Sequence, residues 1–260
     1  MNSQTDYPTR WDSSPPGSGP SRREGLPQLF CFPFAGGGAS AFRPWVSQLA
    51  DVAEVCPVRL PGREDRRSEP LPTDINALAE QMADELADRI RAPYVLYGHS
   101  MGAQLAYRFV HAVVGRQLPP PDLLIAAAHR APHQAPLLPL TYSLPRDAMV
   151  EWLRECGATP AAVLDSEKVL DFFLPTLRSD FALSELCPEY GYEQPLDVPI
   201  LALGGEDDPL VSEDNLDAWA LHTASRFRAS RFPGGHFFHM ESEAQVLDLM
   251  RSELHGLGTA

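Results

Sequence analysis

The residues best suited to chemistry in this sequence are a serine, an aspartate and a histidine, each placed after an apolar segment. Ser100 stands in a Gly-x-Ser-x-Gly pattern, between the apolar segment 93–97 and the segment 103–110, whose apolar residues have helical spacing. A serine on a sharp strand-to-helix turn exposes its hydroxyl, and the flanking glycines let the helix pack closely. Because a free serine is a weak nucleophile, it needs a base and an oxyanion site nearby. The pattern predicts a nucleophile at Ser100.

The acid of such a site is expected after a later strand. The apolar segment 198–203 is typical of a buried strand, and the turn that follows contains Glu206, Asp207 and Asp208. A carboxylate just past the end of a parallel strand lies at the sheet edge where ligands bind. We favour Asp208 because Pro209 restricts its backbone to extended conformations. Asp207 is the alternative acid, and a solvated acidic turn is the non-catalytic interpretation.

The base is expected after the last strand. Segment 226–232 alternates like a half-exposed strand and is followed by a glycine-rich loop that contains His236. A histidine on this loop can reach over the sheet edge to Ser100. His239 is a rival three positions further on, and His99 is expected to pack with its ring pointing away from the serine. The chain order serine, aspartate, histidine favours His236.

The oxyanion site requires two N–H donors near the serine. One is the backbone N–H of Met101, directly after the nucleophile, and the other should come from the loop after an early strand. Segment 29–32 is that strand, and the loop 33–40 contains three successive glycines. We assign the second donor to Ala35, with Gly36 as the alternative. Nucleotide binding by this loop is disfavoured, because neither a Gly-Lys-Ser/Thr ending nor an acid at dinucleotide-binding spacing follows.

Five motifs occur together and in order along the chain. They are Phe32–Gly37, Arg59–Glu64, Gly98–Gly102, Gly204–Pro209 and Pro233–Phe238. This set resembles the stand-alone type II thioesterases that accompany modular polyketide synthases and nonribosomal peptide synthetases, over about residues 29–254. The serine turn is shared by many hydrolases, whereas the combination of Pro-x-Ala-Gly-Gly with Arg-Leu-Pro-Gly-Arg is much more specific.

The resemblance implies an α/β-hydrolase fold with a mostly parallel central sheet flanked by helices. It implies hydrolysis of acyl groups from the phosphopantetheine arm of an acyl or peptidyl carrier protein, through an acyl-serine intermediate. Motif by motif, it gives Ser100, Asp208 and His236 as catalytic residues. One departure is that Ala128 and His129 stand where the family usually has a small hydroxyl or glycine, so the shape of the pocket wall is not implied there.

The chain organisation predicts one domain with a tail. Residues 1–25 are polar and rich in proline and glycine, which is typical of disorder, and residues 26–260 form the α/β-hydrolase domain. The strand pattern stops at about residues 131–195, where two helical segments, 144–155 and 166–186, suggest a lid insertion. Its aromatic residues, together with one from the early loop, are the expected acyl channel: Phe34, Phe172, Phe173 and Phe181.

Composition limits the alternatives. The chain has 260 residues, 44% of them hydrophobic, which suits a single core of this class. Its net charge of −14 argues against nucleic-acid binding. Its four cysteines lack paired or metal-ligand spacing, and no long apolar run is present, so we expect a cytoplasmic monomer without metal, cofactor or membrane anchor. The densest basic group, Arg59, Arg63, Arg66 and Arg67, is either a carrier-docking patch or a solvated loop.

Two other functions compete with the thioesterase interpretation. One is a different serine hydrolase of the same fold, such as a carboxylesterase or an acyltransferase. The other is a non-catalytic binding module that retains the serine turn. The presence of the serine, the acid, the histidine and the glycine loop together argues against the binding module.

Overall fold

A six-stranded parallel sheet forms the centre of the computed structural model, which describes residues 25–155, 164–186 and 194–257. The strands run in the order β2-β1-β3-β4-β5-β6, and every described pair is parallel. The predicted tail lies outside the described residues apart from Gly25. The strands are β1 Gln28–Phe32, β2 Glu54–Pro57, β3 Tyr94–His99, β4 Leu123–Ala127, β5 Ile200–Gly205 and β6 Phe227–Phe232.

Helices cover both faces of this sheet, so the predicted α/β architecture is confirmed. Among the described residues, no helix combines the length and apolar character needed to cross a membrane. The α-helices are α1 Arg43–Gln48, α2 Ile75–Leu86, α3 Met101–Gly115, α4 Arg146–Glu155, α5 Glu167–Glu185, α6 Glu213–Asp217, α7 Phe238–Glu241 and α8 Glu243–His255. Short 3₁₀ helices span Ala39–Phe42, Glu64–Arg66, Thr141–Ser143 and Ala218–His222.

The central strands are buried on both sides, which explains their nearly continuous apolar sequences. Successive side chains alternate between two core layers. Phe30 and Leu96 belong to the layer that includes α2 and α3, whereas Leu29 and Val95 belong to the layer that includes α1 and α8. The sheet is therefore a rigid platform on which the loops at its edges can be positioned.

Helix α2 shows how sequence spacing fixes one of these layers. The side chain of Asp74 accepts a hydrogen bond from the N–H of Ala77 at 2.8 Å and caps the first turn. The apolar residues that recur at helical spacing in and just after this helix are all buried: Ile75, Leu78, Ala79, Met82, Leu86 and Ile90.

The segment between β4 and β5 contains α4 and α5 and, in its described part, no strand. These two helices share an apolar cluster of their own, separate from both layers of the main core. The helices agree with the two predicted helical segments, while the lid function and the boundaries 131–195 remain predictions. The cluster is formed by Met149, Leu153, Leu164, Leu170, Leu174 and Leu177.

The sheet topology brings the chemically important loops to one edge. After β1 the chain moves to one side to form β2, then returns to place β3 on the other side of β1. Ligands in open α/β sheets bind at the carboxyl ends of the strands, near such a switch point. The predicted site residues Ala35, Ser100, Asp208 and His236 follow β1, β3, β5 and β6 at this edge.

Helix α3 approaches the backbone of β1 so closely that no side chain fits between them. A Cβ atom added to Gly102 would lie under 3.0 Å from the carbonyl oxygen of Phe32, and one added to Gly98 would meet the backbone of Gly102 equally closely. Both obstacles are backbone atoms, which cannot move away by a rotamer change. The two glycines therefore allow the first turn of α3 to lie directly against β1 and β3.

We predict that Gly102→Ala destabilises the protein by about 3 kcal/mol or more, the upper end of the cost of overpacking. The matched control is Gly115→Ala on the same helix, where an added Cβ meets nothing within 4 Å. That control should be neutral or stabilising by up to about 1 kcal/mol. Urea unfolding of both variants measures the difference, and equal stabilities would contradict the prediction.

Candidate active site

Ser100 occupies a strained turn between β3 and α3. Its φ of 55° and ψ of −123° are outside the regions that a residue with a side chain normally adopts. The turn is held because the N–H of Ser100 donates to the carbonyl of Ala127 on the adjacent strand at 2.8 Å. The serine side chain consequently stands at the N-terminus of α3, with the N–H of Met101 beside it at the start of the helix.

A hydrogen-bonded chain of three side chains joins the predicted serine, histidine and aspartate. The Nε2 atom of His236 lies 3.0 Å from the Oγ of Ser100, and its Nδ1 atom lies 2.9 Å from the Oδ2 of Asp208. The Asp208 side chain is fully buried, and its second oxygen accepts the N–H of Leu210 at 2.8 Å. Asp207 is exposed and is not part of this chain. The geometry thus selects Asp208 over Asp207.

His99 is buried under this chain and binds its backbone. Its Nε2 atom lies 2.9 Å from the carbonyl oxygen of His236, so Nε2 carries the proton and donates. Its Nδ1 atom can then accept from the hydroxyl of Tyr97 at 3.2 Å. Burial, the largest cause, and the neighbouring His239 and His236 rings hold the pKa of His99 well below its usual value. The sequence predicted packing alone; the hydrogen bond to the loop was missed.

The rival histidine, His239, takes no part in the hydrogen-bonded chain of Ser100, His236 and Asp208. Its ring lies against that of His99, with centroids 3.9 Å apart, and neither of its ring nitrogens has a partner among the described residues. Burial, followed by the proximity of His236, lowers the pKa of His239 to about 3. The ring is therefore neutral at ordinary pH and packs as part of the core.

The glycine loop after β1 forms a tight turn facing the serine. The N–H of Gly37 donates to the carbonyl of Phe34 at 2.8 Å, and Gly36 has a φ of +75°, as the third position of a type II turn requires. The N–H of Gly36 donates to the Oδ2 of Asp180 at 2.7 Å and is already occupied. Within the described part of the chain, the N–H of Ala35 has no acceptor.

Asp180 was not singled out from the sequence, although a signal was present. It lies on α5 three residues after Leu177 and four before Ser184, both of which face inward, and its side chain is fully buried. A charged residue within a buried helical stripe is expected to have a partner. The partner is Arg63, whose two terminal nitrogens lie 2.7 and 2.6 Å from the two carboxylate oxygens.

A pocket of about 330 Å³ opens beside Ser100 and extends under the insertion. Phe34 and Phe181 line it, as predicted for the channel, and Phe181 packs edge-on against Trp152 with ring centroids 5.2 Å apart. Other lining residues come from the loop after β4, the insertion and the loop after β5; they include His129, Pro136, Leu137, Leu138, Leu144 and Val211.

The structure contradicts the prediction for the other two aromatic residues. Phe172 is 72% exposed and Phe173 is 36% exposed, and neither lines the pocket. The buried stripe of α5 runs through Leu170, Leu174 and Leu177. Phe172 follows Leu170 by two residues, about 200° around the helix, so it lies on the opposite face. The sequence interpretation combined residues from two faces of one helix.

Comparison with known proteins identifies the family of this chain. Residues 27–254 match the family described as "Thioesterase domain". The chain belongs to the thioesterase family. It is an enzyme that hydrolyses thioester bonds.

Individual relatives agree with this assignment. The gramicidin S biosynthesis protein GrsT of Aneurinibacillus migulanus is 35% identical over 230 residues, which cover 87% of this chain and 88% of GrsT. The type II thioesterase BorB from the borrelidin biosynthetic cluster superposes with a TM-score of 0.80 at 34% identity, over 88% of this chain and 93% of BorB. The thioesterase RedJ, from the prodiginine pathway of Streptomyces coelicolor, superposes with a TM-score of 0.83 at 32% identity, over 95% of this chain and 100% of RedJ. The predicted α/β-hydrolase fold and type II thioesterase family are confirmed.

The basic loop of this thioesterase is not an open cationic patch. Arg63 is buried against Asp180, and Arg66 binds the carboxylates of Glu69 and Glu85. Arg59 pairs with Asp65 at 2.8 Å. Three of the four arginines are thus paired within the protein, which removes the support for the carrier-docking interpretation of this group.

The pocket wall of the thioesterase includes the ring of His129. Its Nδ1 atom donates to the carbonyl of Arg130 at 2.7 Å, so its Nε2 atom accepts from the hydroxyl of Ser184 at 3.1 Å. Burial, followed by the charge of Arg130, lowers the pKa of His129 to about 3. The ring joins the loop after β4 to α5 and gives the wall an aromatic surface.

The buried neutral histidines make the thioesterase sensitive to acid. His129 and His239 have pKa values of about 3 when folded, against an ordinary value of about 6.5, so the unfolded chain binds their protons more readily. The contribution of these two neutral rings to the free energy of unfolding is complete above pH 6.5. It is lost as the pH falls toward 3, by about 1.4 kcal/mol per pH unit for each ring.

We predict that the free energy of unfolding decreases steeply between pH 6.5 and 4. His239→Phe should make this decrease shallower by about 1.4 kcal/mol per pH unit, because one group no longer titrates. Urea unfolding of both proteins at several pH values in this range measures the slope. The same slope in wild type and variant would contradict the assignment of a neutral buried ring at this position.

Proposed function

We propose that Ser100, His236 and Asp208 are the catalytic triad of thioester hydrolysis. The observation that carries the proposal is the pair of contacts at 3.0 Å and 2.9 Å, which link nucleophile, base and buried acid in that order. His236 takes the proton of Ser100 as the Oγ–carbonyl bond forms. Asp208 holds the ring in the tautomer that leaves Nε2 free to accept, and stabilises its charged form.

The reaction then proceeds in two halves, the acylation of Ser100 and the hydrolysis of the acyl group. In the first, the carbon–sulfur bond breaks, and His236 gives the proton to the departing sulfur, which leaves an acyl group on Ser100. In the second, a water molecule gives a proton to His236 and attacks the acyl carbon. The carbon–Oγ bond breaks, the proton returns to Ser100 and the free acid leaves.

The oxyanion formed in both halves is held, in this proposal, by the N–H groups of Met101 and Ala35. Support for Ala35 over the alternative comes from Gly36, whose N–H is already donated to Asp180. Support for Met101 comes from its position as the first residue of α3, where its N–H has no partner within the helix. Each donor would lower the barrier by roughly 3 kcal/mol.

The substrates we propose are acyl or peptidyl groups carried on the phosphopantetheine arm of a carrier protein, hydrolysed for editing or for product release. BorB belongs to the borrelidin biosynthetic cluster and RedJ to the prodiginine biosynthetic pathway, which supports a related role here. The pocket of about 330 Å³ beside Ser100 would accommodate the acyl chain, with the helical insertion as its lid. No bound cofactor enters this scheme, and we propose a cytoplasmic monomer as the active form.

The decisive experiment compares substrates rather than variants. Carrier-bound acyl thioesters of two to about fourteen carbons are assayed beside simple oxygen esters and a thiol acceptor. The proposal expects the highest kcat/KM for a carrier-bound thioester. Preference for oxygen esters would indicate a carboxylesterase, and transfer to the acceptor would indicate an acyltransferase.

We predict that Ser100→Ala lowers turnover by about three to six orders of magnitude while the protein stays folded. Asp208→Asn should lower turnover by about ten-thousand-fold, because the histidine would lose its correct tautomer. The neighbouring Asp207→Asn is the matched control and should cost far less, since its side chain is exposed. Steady-state kinetics on one carrier-bound substrate tests all three, and a larger loss at Asp207 would reverse the assignment.

We predict that Phe181→Ala shifts the preference toward longer or bulkier acyl groups by about ten-fold, because it enlarges the pocket. Phe172→Ala is the matched control on the same helix and should leave the substrate ranking unchanged, since this ring is exposed. The measurement is kcat/KM across the acyl panel. An unchanged ranking in Phe181→Ala would remove this residue from the channel.

A further inference from the structure

A buried carboxylate on α5 holds the turn that faces Ser100. The Oδ2 atom of Asp180 accepts the N–H of Gly36 at 2.7 Å and also a terminal nitrogen of Arg63 at 2.7 Å. The Oδ1 atom accepts the other terminal nitrogen of Arg63 at 2.6 Å. The same Arg63 donates to the carbonyl of Gly37 at 2.9 Å. Two peptide groups of this loop, Ala35–Gly36 and Gly37–Gly38, are thus tied to one buried ion pair.

Stabilisation of the fold alone does not explain why this ion pair is buried here. The Asp180 side chain has no exposed surface, and that of Arg63 is 8% exposed, so both charges are almost completely removed from water. Buried ion pairs contribute little to stability compared with well-packed apolar residues of similar size. What this pair provides that apolar residues could not is an acceptor for one N–H of the turn and a donor to one of its carbonyls.

The hydrogen bond to Gly36 also decides which N–H of the turn remains available. Gly36 must keep a φ of +75° for its N–H to reach α5, and a side chain at this position would collide with Leu177 on the same helix. With Gly36 held in this way, Ala35 is the one of the three residues Ala35, Gly36 and Gly37 whose N–H lacks an acceptor within the described part of the chain. Ala35 also lines the pocket beside Ser100.

We propose that Asp180 is a positioning residue that sets the oxyanion site from the helical insertion. Its carboxylate fixes the Gly36 peptide, and the N–H of Ala35 is thereby held toward the oxygen that becomes negative. Arg63 pairs with both oxygens of the carboxylate and binds the carbonyl of Gly37. This inference rests on the proposed function, because it assumes that Ala35 donates to the oxyanion.

The test uses an isosteric variant and an apolar one. Asp180→Asn removes the charge and one acceptor, whereas the double variant Arg63→Met/Asp180→Leu removes the whole pair and leaves no unpaired charge in the core. Asp171→Asn is the matched control: it lies on the same helix and pairs with Arg146, but in an exposed position away from the turn. End-point labelling with a fluorophosphonate counts competent active sites in each preparation, so that kcat is expressed per active site.

We expect kcat per active site to fall by up to about a hundred- to a thousand-fold in both test variants, the range for loss of one oxyanion donor. KM for the carrier-bound thioester should stay within about three-fold of wild type. Binding of a trifluoromethyl ketone, which forms a tetrahedral oxyanion on the serine, should weaken in parallel with kcat. Asp171→Asn should match wild type in all three measurements.

Several results would overturn the proposal. A folded double variant that keeps kcat within about two-fold would show that the turn does not need the pair. A raised KM with unchanged kcat would assign Asp180 to substrate binding, and failure of both variants to fold would assign the pair to folding. If Ser100→Ala retained activity, the triad itself would be wrong; full loss in Ser100→Ala with full activity in the folded double variant would refute the positioning role alone.

Discussion

The contact between the first turn of α3 and the backbone of β1 is the constraint on which the site depends. Gly98 and Gly102 leave no room for a Cβ, so the helix begins directly against the sheet. That approach forces the chain through the unfavourable backbone conformation of Ser100, and the hydrogen bond to Ala127 holds it there. The strain is compensated by the packing of an almost completely buried helix, which explains how a reactive side chain can be fixed on a short turn.

Around this turn, neutral histidines perform structural work that charged side chains could not. His99 donates to the backbone of His236 and accepts from Tyr97, so a single ring joins the end of β3 to the loop after β6. His129 similarly joins the loop after β4 to α5. A protonated ring in either place would bring a charge into a buried setting, and burial opposes that charge. Burial therefore keeps the rings of His99 and His129 neutral beside the predicted catalytic residues.

Local pattern was sufficient to predict the four strands that precede the site loops, β1, β3, β5 and β6, and the helices α3, α4 and α5. Each apolar segment that ends in a glycine-rich turn became a parallel strand, and parallel strands place their following loops at one edge. The preference for Asp208 over Asp207 rested on Pro209, and Asp208 is the one of the two that contacts His236. The face of a helix on which a residue lies was harder to predict. Phe172 and Phe181 are both apolar, and only the buried leucines around them define which face is inside.

Long-range polar contacts were beyond the reach of sequence patterns. Asp180 and Arg63 are 117 residues apart, and Gly36 and Asp180 are 144 apart, so no local spacing relates them. The pairing depends on how the insertion packs over the sheet edge, which is a tertiary property. Arg63 looked like one member of a basic cluster, although its neighbours Arg59 and Arg66 bind different acids. A sequence pattern can indicate that a buried charge needs a partner, without identifying it.

Helix α5 has a consequence for how relatives of this enzyme can diverge. Leu177 and Asp180 contact the turn after β1, and Phe181 and Ser184 face the pocket within the next turn of the same helix. Substitutions at the last two positions can reshape the pocket without moving the first two. A one-residue insertion between Leu177 and Asp180 would instead rotate everything beyond it by about 100° relative to Leu177, and would separate Asp180, Phe181 and Ser184 from their partners. Lineages can therefore change acyl preference by exchanging side chains here, whereas the length of this helical stretch should remain constant.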